Sequence, residues 1–310
     1  MSKKSYSKKS KTNYKKKKVD KEQMNEIFKT LENGVKSVFS SESYQRYLEF
    51  LSLFHSYSLN NILLILSQMP SAVRVASKDT WQKAGCQLLE NAQGIKVIVP
   101  IERKAERTII ERDKFGNPVV DTNGEVKTKK EEIVSTSFRV GNVYDISQTD
   151  GKLPTLALEL TENSSKLQKA INDIIRNSYE VPIRFDHRLK SDDCNGYYSP
   201  KSKSIYLRTN MSSTQTFKTL IHEIAHSYLH NNLGKEYDQS TAEVEAESVA
   251  YTVCHAVGVD TSSYSFGYIA SWSGDKELKE LKNSLNRIKF AVDKILSWVC
   301  SSTDLVCEFS

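Results

Sequence analysis

Cysteine is scarce in this chain, which has five in 310 residues: Cys86, Cys194, Cys254, Cys300 and Cys307. Their number is odd, their spacing is wide, and no two are arranged as CxxC. The sequence therefore favours neither a disulfide framework nor a zinc knuckle built from thiolates. A reducing, cytoplasmic location is the expectation from this pattern.

Long apolar runs are also missing. The longest is Ile62–Leu66, far short of the roughly 20 residues that span a bilayer. The lysines near the N-terminus are not followed by an apolar segment or a small-residue cleavage site. The sequence thus predicts neither export nor a membrane partner. With 38% hydrophobic and 26% charged residues, the composition is typical of a soluble globular protein, and the length suits two domains.

Excess positive charge is absent from most of the chain. The net charge is +6, but residues 1–19 hold nine lysines and no acid, which leaves 35 basic and 38 acidic residues elsewhere. A segment this polar cannot bury enough apolar surface to fold alone, so we interpret residues 1–19 as a disordered lysine-rich arm. The arm is either a solubilising tail or a salt-sensitive contact for phosphate backbones. Composition does not choose between them.

Hydrophobic periodicity predicts an α+β fold with two domains. Apolar residues at spacings of three and four predict helices over residues 21–35, 44–54 and 59–68. β-branched runs then predict a small antiparallel sheet, in which the charged segment 102–132 forms an exposed hairpin. A turn-rich break at Asp150–Pro154 divides an N-terminal domain, residues 20–150, from a C-terminal domain, residues 151–310, which begins with a helix near 164–178.

The C-terminal half contains the sequence His222-Glu223-Ile224-Ala225-His226. The segment lies within a predicted amphipathic helix that follows the possible N-caps Ser212 to Thr214. Positions i and i+4 project from one side of a helix, so both imidazoles can reach one metal ion, and Glu223 is then the candidate general base. The alternative is a helix with two partly exposed histidines and no metal.

A third ligand is expected from a second helix, predicted over residues 240–257 and ended by Gly258. Glu243 and Glu247 share one face of it, whereas Glu245 points to the other side. We favour Glu243 as the ligand, with Glu247 orienting a histidine. Glu247 is the alternative ligand, because Ser240 and Glu243 also form a possible capping box that would turn Glu243 away from a metal. Zinc is the default for these ligands, and Mn or Co can occupy the same set.

A third histidine and a short strand of this half have less specific roles than the HExxH sequence. His230 continues the stripe of His222 and His226, but it lies too far along the helix axis to be a third ligand from the same helix. Ser204–Leu207 is a predicted short strand, whose position before the helix suits an edge strand that pairs with an extended peptide. The alternative is a strand with a structural role only.

Several segments together resemble the ArdC-type antirestriction proteins. Tyr57–Ile65, Gln68–Pro70, Thr80–Lys83 and Val143–Gly151 resemble the N-terminal single-stranded DNA-binding domain of that family. His222–His226 with Glu243–Glu247 resembles the metal site of the zincin-like, gluzincin-type metallopeptidase domain that follows it. The resemblance covers about residues 40–260. It implies a protein carried by a mobile genetic element that binds incoming single-stranded DNA, as in conjugation, and helps it escape host restriction.

Candidate DNA-binding residues follow from this resemblance. Tyr57 and Trp81 are candidates for base stacking, and basic side chains are candidates for phosphate contacts. The full set is Tyr57, Asn61, Arg74, Lys78, Trp81, Lys83 and Lys96. Departures from the family pattern include Asn60 and Ile62, which stand where relatives often have Arg and Gln. Residues 20–150 carry 17 basic and 18 acidic residues, so we expect modest affinity from this domain without the arm.

Two functions remain open at this point, and a metal with a purely structural role is the third alternative. The chain is either a single-stranded DNA-binding protein that protects transferred DNA, with a secondary metal domain, or a regulatory zinc peptidase that cleaves a host or element protein and uses DNA for localisation. The HExxH sequence indicates competence for hydrolysis and does not show that it is used.

Overall fold

The structure is a computed structural model that describes residues 7–152, 164–178, 181–189, 194–231 and 238–305. Its helices, in chain order, are α1 (Ser7–Val38), α2 (Ser41–Phe54), α3 (Leu59–Gln68), α4 (Lys78–Lys83), α5 (Ser165–Asn177), α6 (Ser213–Leu229), α7 (Gln239–Ala256), α8 (Ile269–Gly274) and α9 (Leu278–Ser302). Its strands are β1 (Val75–Ala76), β2 (Ile95–Ile110), β3 (Thr128–Asp145), β4 (Ile183–Asp186), β5 (Gly196–Ser199) and β6 (Ser204–Arg208). The predicted α+β class is confirmed.

The chain divides into two compact units. One comprises residues 1–26 and 96–142, and the other comprises residues 27–95 and 143–310. The first helices after the arm therefore belong to the same unit as the HExxH helix. The domain boundary predicted near Asp150 rests on turn composition and stays a prediction. The two compact units are divided at other positions along the chain.

The first sheet has the order β1-β3-β2, and β1 is antiparallel to β3. Beyond the paired strands, two tight turns fold the connection back on itself, with Gly116 and Gly124 at positive φ of 87° and 83°. Those backbone angles favour glycine. Most side chains from residue 102 to 132 are exposed, so the predicted exposed hairpin is confirmed.

The N-terminal arm differs from its expectation. Helix α1 begins at Ser7 and runs without a break to Val38, so most of residues 1–19 is helical instead of disordered. Composition correctly indicates that this segment cannot build a core, but lysine has a favourable helix propensity. A helix anchored by the buried residues Ile27, Leu31 and Val35 can extend backwards without new apolar contacts, since each added residue needs no new nucleus.

Helix α2 packs directly on α7, the helix that presents the candidate third ligand. The buried hydroxyls of Tyr44 and Ser248 lie 2.7 Å apart, and the Tyr251 hydroxyl donates to Glu49 at 2.9 Å. Tyr44, with an exposed fraction of 0%, carries a large apolar ring into this contact. The core of this unit is thus shared by an N-terminal and a C-terminal helix.

The second sheet has the order β4-β6-β5, in which β6 is parallel to β4 and antiparallel to β5. The prediction that Ser204–Leu207 forms an edge strand is wrong, because β6 is the central strand and its residues Ile205 and Leu207 are fully buried. Among the described strands, the edge nearest α6 is β5. A Cβ at Gly196 would lie 2.8 Å from the Tyr206 carbonyl oxygen and from Thr219 Cγ2, so glycine allows β5 to approach α6 closely.

Two expectations from absences can be compared with the structure. Cys86, Cys194 and Cys254 are free thiols, whereas Cys300 is disulfide-bonded, which the expectation of reduced cysteines did not include. Within the described residues no single helix has the length and apolarity to cross a membrane, and one bent pair, Glu42–Phe54 with Leu59–Gln68 at 117°, passes on length and composition only.

Candidate metal centre

Helix α6 presents both histidines of the HExxH sequence beside a cleft. Its N-cap is Ser212, whose side chain accepts a hydrogen bond from the backbone N–H of Gln215. Its apolar face is fully buried at Phe217, Leu220, Ile221 and Ala225. The helix predicted here is confirmed, and burial of the opposite face directs His222 and His226 towards α7.

Helix α7 begins earlier than the sequence suggested, and this decides how Glu243 is used. The N-cap is Asp238, whose carboxylate accepts hydrogen bonds from the Ser240 backbone and from the Thr241 hydroxyl. Asp238 therefore satisfies one of the free backbone N–H groups in the first turn of the helix. The capping box considered for Ser240 and Glu243 does not form, and the Glu243 side chain lies against the histidines instead.

The two imidazoles and Glu243 converge on one point. His222 Nε2 lies 3.1 Å from His226 Nε2 and 3.4 Å from Glu243 Oε2, and His226 Nε2 lies 3.6 Å from Glu243 Oε1. Metal–ligand bonds of 2.0–2.2 Å at tetrahedral angles place neighbouring ligand atoms roughly 3.3 Å apart. The three side chains, each offering one ligand atom within 4.8 Å of the others, therefore fit a divalent cation without rearrangement.

Glu247 occupies a different position from Glu243. Its Oε2 lies 3.3 Å from His222 Nδ1, the ring nitrogen that faces away from the cluster. Burial alone would lower the pKa of His222, but hydrogen bonds with Glu243 and Glu247 outweigh it and raise that pKa to about 10. Hydrogen bonds with His222 and then His226 lower the pKa of Glu243. The cluster therefore favours a positive charge between carboxylates, which is the charge pattern a cation site needs.

Glu223 lies in the same cleft with an exposed fraction of 7%. Burial raises the pKa of its carboxyl, against the lowering effect of the nearby His222 and His226. The backbone of Tyr198, in β5, donates a hydrogen bond to it. A carboxylate with a raised pKa beside two imidazoles is suited to accept a proton near neutral pH.

His226 is contacted on its outer side by His230. The two Nδ1 atoms lie 2.9 Å apart, and His230 Nε2 lies 3.3 Å from Glu245 Oε2. His230 does not reach the point where the other ligand atoms meet, as its position along the axis predicted. The sequence placed Glu245 on the opposite face from Glu243, and the structure places it there, fully buried.

Helix α9 supplies the partners of Glu245. Arg287 Nε donates to its two oxygens at 2.9 and 3.0 Å, and the Ser284 hydroxyl donates at 2.8 Å. Burial would raise the pKa of Glu245, but hydrogen bonds from His230 and Arg287 outweigh it and lower that pKa. Reasoning from the sequence missed Arg287 and Ser284. They stand about 40 residues beyond Glu245, and the amphipathic pattern of α9 does not indicate which polar residue meets a distant carboxylate.

Two cavities adjoin the cluster within this unit. One of about 260 Å³ is lined by His222, Glu223 and Glu247 together with Lys218 and Ser263. The other, about 400 Å³, lies along β5 and is lined by Gly196, Tyr197 and Tyr198 with Glu223, His226 and Glu243. An extended chain can therefore approach the cluster beside the β5 edge.

Two further polar residues of α7, Tyr251 and His255, contact α2. The Tyr251 hydroxyl contacts Glu49, and His255 Nδ1 lies 2.9 Å from the Ser52 hydroxyl. Both partners belong to α2. Tyr251 and His255 thus serve the packing of α2 on α7.

The candidate DNA-binding residues do not converge in the same way. Trp81 is 6% exposed and its indole N–H donates to the Tyr144 carbonyl at 2.8 Å, so its ring offers no free face to a base. The Tyr57 hydroxyl donates to the Val75 carbonyl at 2.9 Å, and the Asn61 backbone N–H lies 3.4 Å from Ser58 Oγ. Four basic residues of the set are exposed, namely Arg74, Lys78, Lys83 and Lys96. Their assignment to DNA stays a prediction.

Two family models match the chain. The first, the N-terminal domain of anti-restriction factor ArdC, matches residues 17–144. The second, the IrrE N-terminal-like domain of a peptidase family, matches residues 180–254. The second range contains His222, Glu223, His226, Glu243 and Glu247, while Ser284 and Arg287 lie outside both ranges.

One curated relative and two solved structures resemble the chain. It is 28% identical over 297 residues to the uncharacterized protein pXO2-81 of Bacillus anthracis, a match that covers 86% of this chain and 50% of the relative. The chain therefore spans about half the length of that relative. The metal-free crystal structure of the antirestriction ArdC protein from R388 plasmid is 18% identical with a TM-score of 0.44, covering 80% of this chain and 86% of the other. The Mn(II)-bound structure is 15% identical with a TM-score of 0.46, covering 79% and 84%.

Proposed function

We propose that this chain, an ArdC-type protein by its matches to an ArdC N-terminal domain and to an IrrE N-terminal-like domain, binds single-stranded DNA and protects the incoming DNA of a mobile genetic element from restriction. Its C-terminal half contributes a metal-dependent, peptidase-type centre. The observation that carries this centre is the convergence of His222, His226 and Glu243 beside the buried Glu223. We place the activity in the cytoplasm, where incoming DNA meets restriction enzymes.

In the proposed centre His222 and His226 bind the metal through Nε2, and Glu243 binds through a carboxylate oxygen. Glu243 is preferred to Glu247 because its oxygens approach both Nε2 atoms, whereas Glu247 approaches the Nδ1 of His222. Two imidazoles and a carboxylate suit zinc, and Mn or Co can occupy the same donors. When bound, the cation supplies Lewis acidity towards a carbonyl group and acidifies water.

Glu223 is the proposed general base. Its carboxylate accepts a proton from a water molecule in the cleft and returns it to the leaving nitrogen of a peptide. Burial supports this role because it raises the pKa of Glu223 towards the range in which a carboxylate both accepts and returns a proton. The β5 edge supports binding of an extended peptide, whose backbone would pair with Gly196–Ser199.

The DNA-binding half rests on the family match and on exposed basic residues. Arg74, Lys78, Lys83 and Lys96 contact phosphates in this proposal, and Tyr57 and Asn61 lie in the same family segment. Fluorescence anisotropy with matched single- and double-stranded oligonucleotides at two salt concentrations tests it directly. We expect preference for the single strand and weaker binding at high salt. Equal affinity for both forms would contradict the proposal.

Metal analysis of the purified chain tests the centre. We expect a stoichiometric divalent cation after incubation with Zn²⁺, and a higher melting temperature in its presence, since a ligand that binds only the folded state stabilises it. A chain that binds none of Zn²⁺, Mn²⁺ and Co²⁺ and shows no shift in melting would exclude the centre.

A regulatory peptidase is the second candidate, and the buried Glu223 beside an edge strand favours it. Glu223→Gln should retain metal and fold while it removes the base, and Glu90→Gln, which changes an exposed glutamate, is the matched control. Loss of protection against restriction in Glu223→Gln alone would assign the biological role to proteolysis. Unchanged protection with DNA binding intact would assign it to the DNA-binding half.

A further inference from the structure

We propose that His230 and Glu245 are positioning residues that fix the ring tautomer of His226, so that its Nε2 lone pair faces the metal, and that α9 holds this arrangement through Arg287 and Ser284. The inference deepens the proposed function and rests on its metal ligands. It concerns a chain of side chains behind the centre, in which each member has a defined donor or acceptor role.

The roles follow from the Glu245 end. Its carboxylate oxygens meet the Arg287 guanidinium, the Ser284 hydroxyl and His230 Nε2. The carboxylate accepts from the first two, because guanidinium has no acceptor and an ionised carboxylate has no hydrogen to donate to the hydroxyl. An ionised carboxylate has no proton to give, so His230 Nε2 must donate to Glu245.

His226 is the next member of this chain of side chains. In the proposed arrangement His230 is a neutral imidazole, which accepts through Nδ1 when it donates through Nε2, and its Nδ1 is then the acceptor in the 2.9 Å contact with His226 Nδ1. His226 Nδ1 therefore carries the hydrogen. The remaining nitrogen of His226, Nε2, then has its lone pair directed at Glu243 and His222 Nε2, which is the form that a metal ion requires.

Burial keeps these roles from exchanging. The His230 side chain is 8% exposed and that of Glu245 is 0% exposed, so water does not readily replace either partner. The two ligand histidines are also supported differently. Glu247 meets the outer nitrogen of His222 directly, whereas Glu245 acts on His226 through an intervening imidazole. Histidine ligands commonly donate their second nitrogen to such an outer partner.

Two substitutions of His230 separate its two nitrogens. The amide of Asn lies near the position of Nδ1 and can accept from His226, whereas the amide of Gln lies near Nε2 and can only reach Glu245. We expect His230→Gln to weaken Zn²⁺ binding by about 10–100-fold, and His230→Asn to stay close to the wild type. Affinity is measured by competition with a chromophoric chelator, and melting of the chelator-treated protein reports on folding.

A spectroscopic measurement tests the tautomer without any substitution at His230. Imidazole ¹⁵N shifts of the wild-type chain, with the His226 signal identified by its loss in His226→Gln, should show a protonated Nδ1 and an unprotonated Nε2. The proposal is overturned if His226 carries its hydrogen on Nε2, or if His230→Gln folds and binds Zn²⁺ as tightly as the wild type. Equal weakening in the Asn and Gln variants, with the His226 tautomer unchanged, would also overturn it.

These outcomes are distinct from failure of the proposed function. A wild-type chain that binds no metal removes the centre itself. A chain that binds Zn²⁺ normally but is indifferent to His230→Gln removes only the positioning role. Neither measurement depends on peptide cleavage or on DNA.

Discussion

The two candidate sites of this chain differ in how their residues are arranged. Around α6 and α7, three candidate ligand atoms lie within 4.8 Å of one another. Glu247 and His230 contact the two histidines from behind, and Glu245 contacts His230. The candidate DNA-binding residues include one buried ring, Trp81, and four exposed basic side chains. A metal ion requires ligand atoms that converge on one point, and ligands that lie on one helix recur at a short, recognisable spacing in the sequence. A phosphate backbone requires only exposed positive charge, which produces no such spacing.

The N-terminal and C-terminal halves of the chain meet at α7. Helix α2, from the range of the ArdC-domain match, packs on α7 through Tyr44 and Ser248. The opposite side of α7 presents Glu243 to His222 and His226. Helix α7 thus packs on α2 with one face and presents Glu243 with the other. The position of Glu243 therefore depends on packing against the N-terminal half of the chain.

The strongest expected effect separates Glu243 from Glu247. Glu243→Gln removes a ligand and should lower Zn²⁺ affinity by roughly 1000-fold, about 4 kcal/mol. Glu247→Gln removes an outer partner of His222 and should cost about 10–100-fold. Chelator competition measures both. A larger loss in Glu247→Gln would exchange their roles and place the ligand one turn further along α7.

The next prediction tests whether Trp81 is core or platform. Trp81→Ala should lower the free energy of unfolding by about 3 kcal/mol, because it removes a buried ring and its hydrogen bond to Tyr144. Chemical denaturation measures this loss. The matched exposed change, Lys83→Gln, should leave stability unaltered. If Trp81→Ala is as stable as the wild type yet binds DNA weakly, the ring acts as a stacking platform and the contrast between the two sites fails.

A smaller effect concerns protons. The pKa of His222 is raised from 6.5 to about 10, so at neutral pH Zn²⁺ must displace a proton, and we expect release of about one proton per ion. Calorimetry in buffers of different ionisation enthalpy measures it. Without metal, the sign is that of a raised pKa: charged His222 stabilises the fold fully below pH 6.5, and this contribution is lost as pH rises through about 10. His222→Gln should abolish both effects, and their persistence in that variant would assign the proton elsewhere.

The smallest effect is expected from the arm. Replacing the nine lysines of residues 1–19 by glutamine keeps its length. The substitution should make the slope of log K against log salt concentration for single-stranded DNA binding less steep. We expect a change of about 0.7 in that slope for each phosphate group that the arm no longer neutralises. Anisotropy titrations from low to moderate salt measure this slope. An unchanged slope and affinity would identify the arm as a solubilising segment.

Local patterns predicted much of the helical structure. The helix over residues 59–68 matches α3 in both bounds, and α2, α5 and α6 match their predictions within a few residues. Misses arose where a distant or neighbouring group competed with the local signal. Asp238, and not Ser240, is the N-cap of α7. Strand β4 pairs with β6, so β6 is a central strand, and α1 extends into the arm.

The amino-acid sequence by itself determined that His222, Glu223 and His226 share a helix and that Glu243 and Glu245 face opposite sides of the next, because helical periodicity orders side chains over a few turns. Only the tertiary structure decided that Glu243 reaches both imidazoles and that Glu247 meets the outer nitrogen of His222. It also brought Arg287 of α9 to Glu245, a contact set by the packing of helices that are distant along the chain. Helical periodicity relates side chains within one helix and does not continue across a loop, whereas packing brings together side chains that are far apart in the sequence.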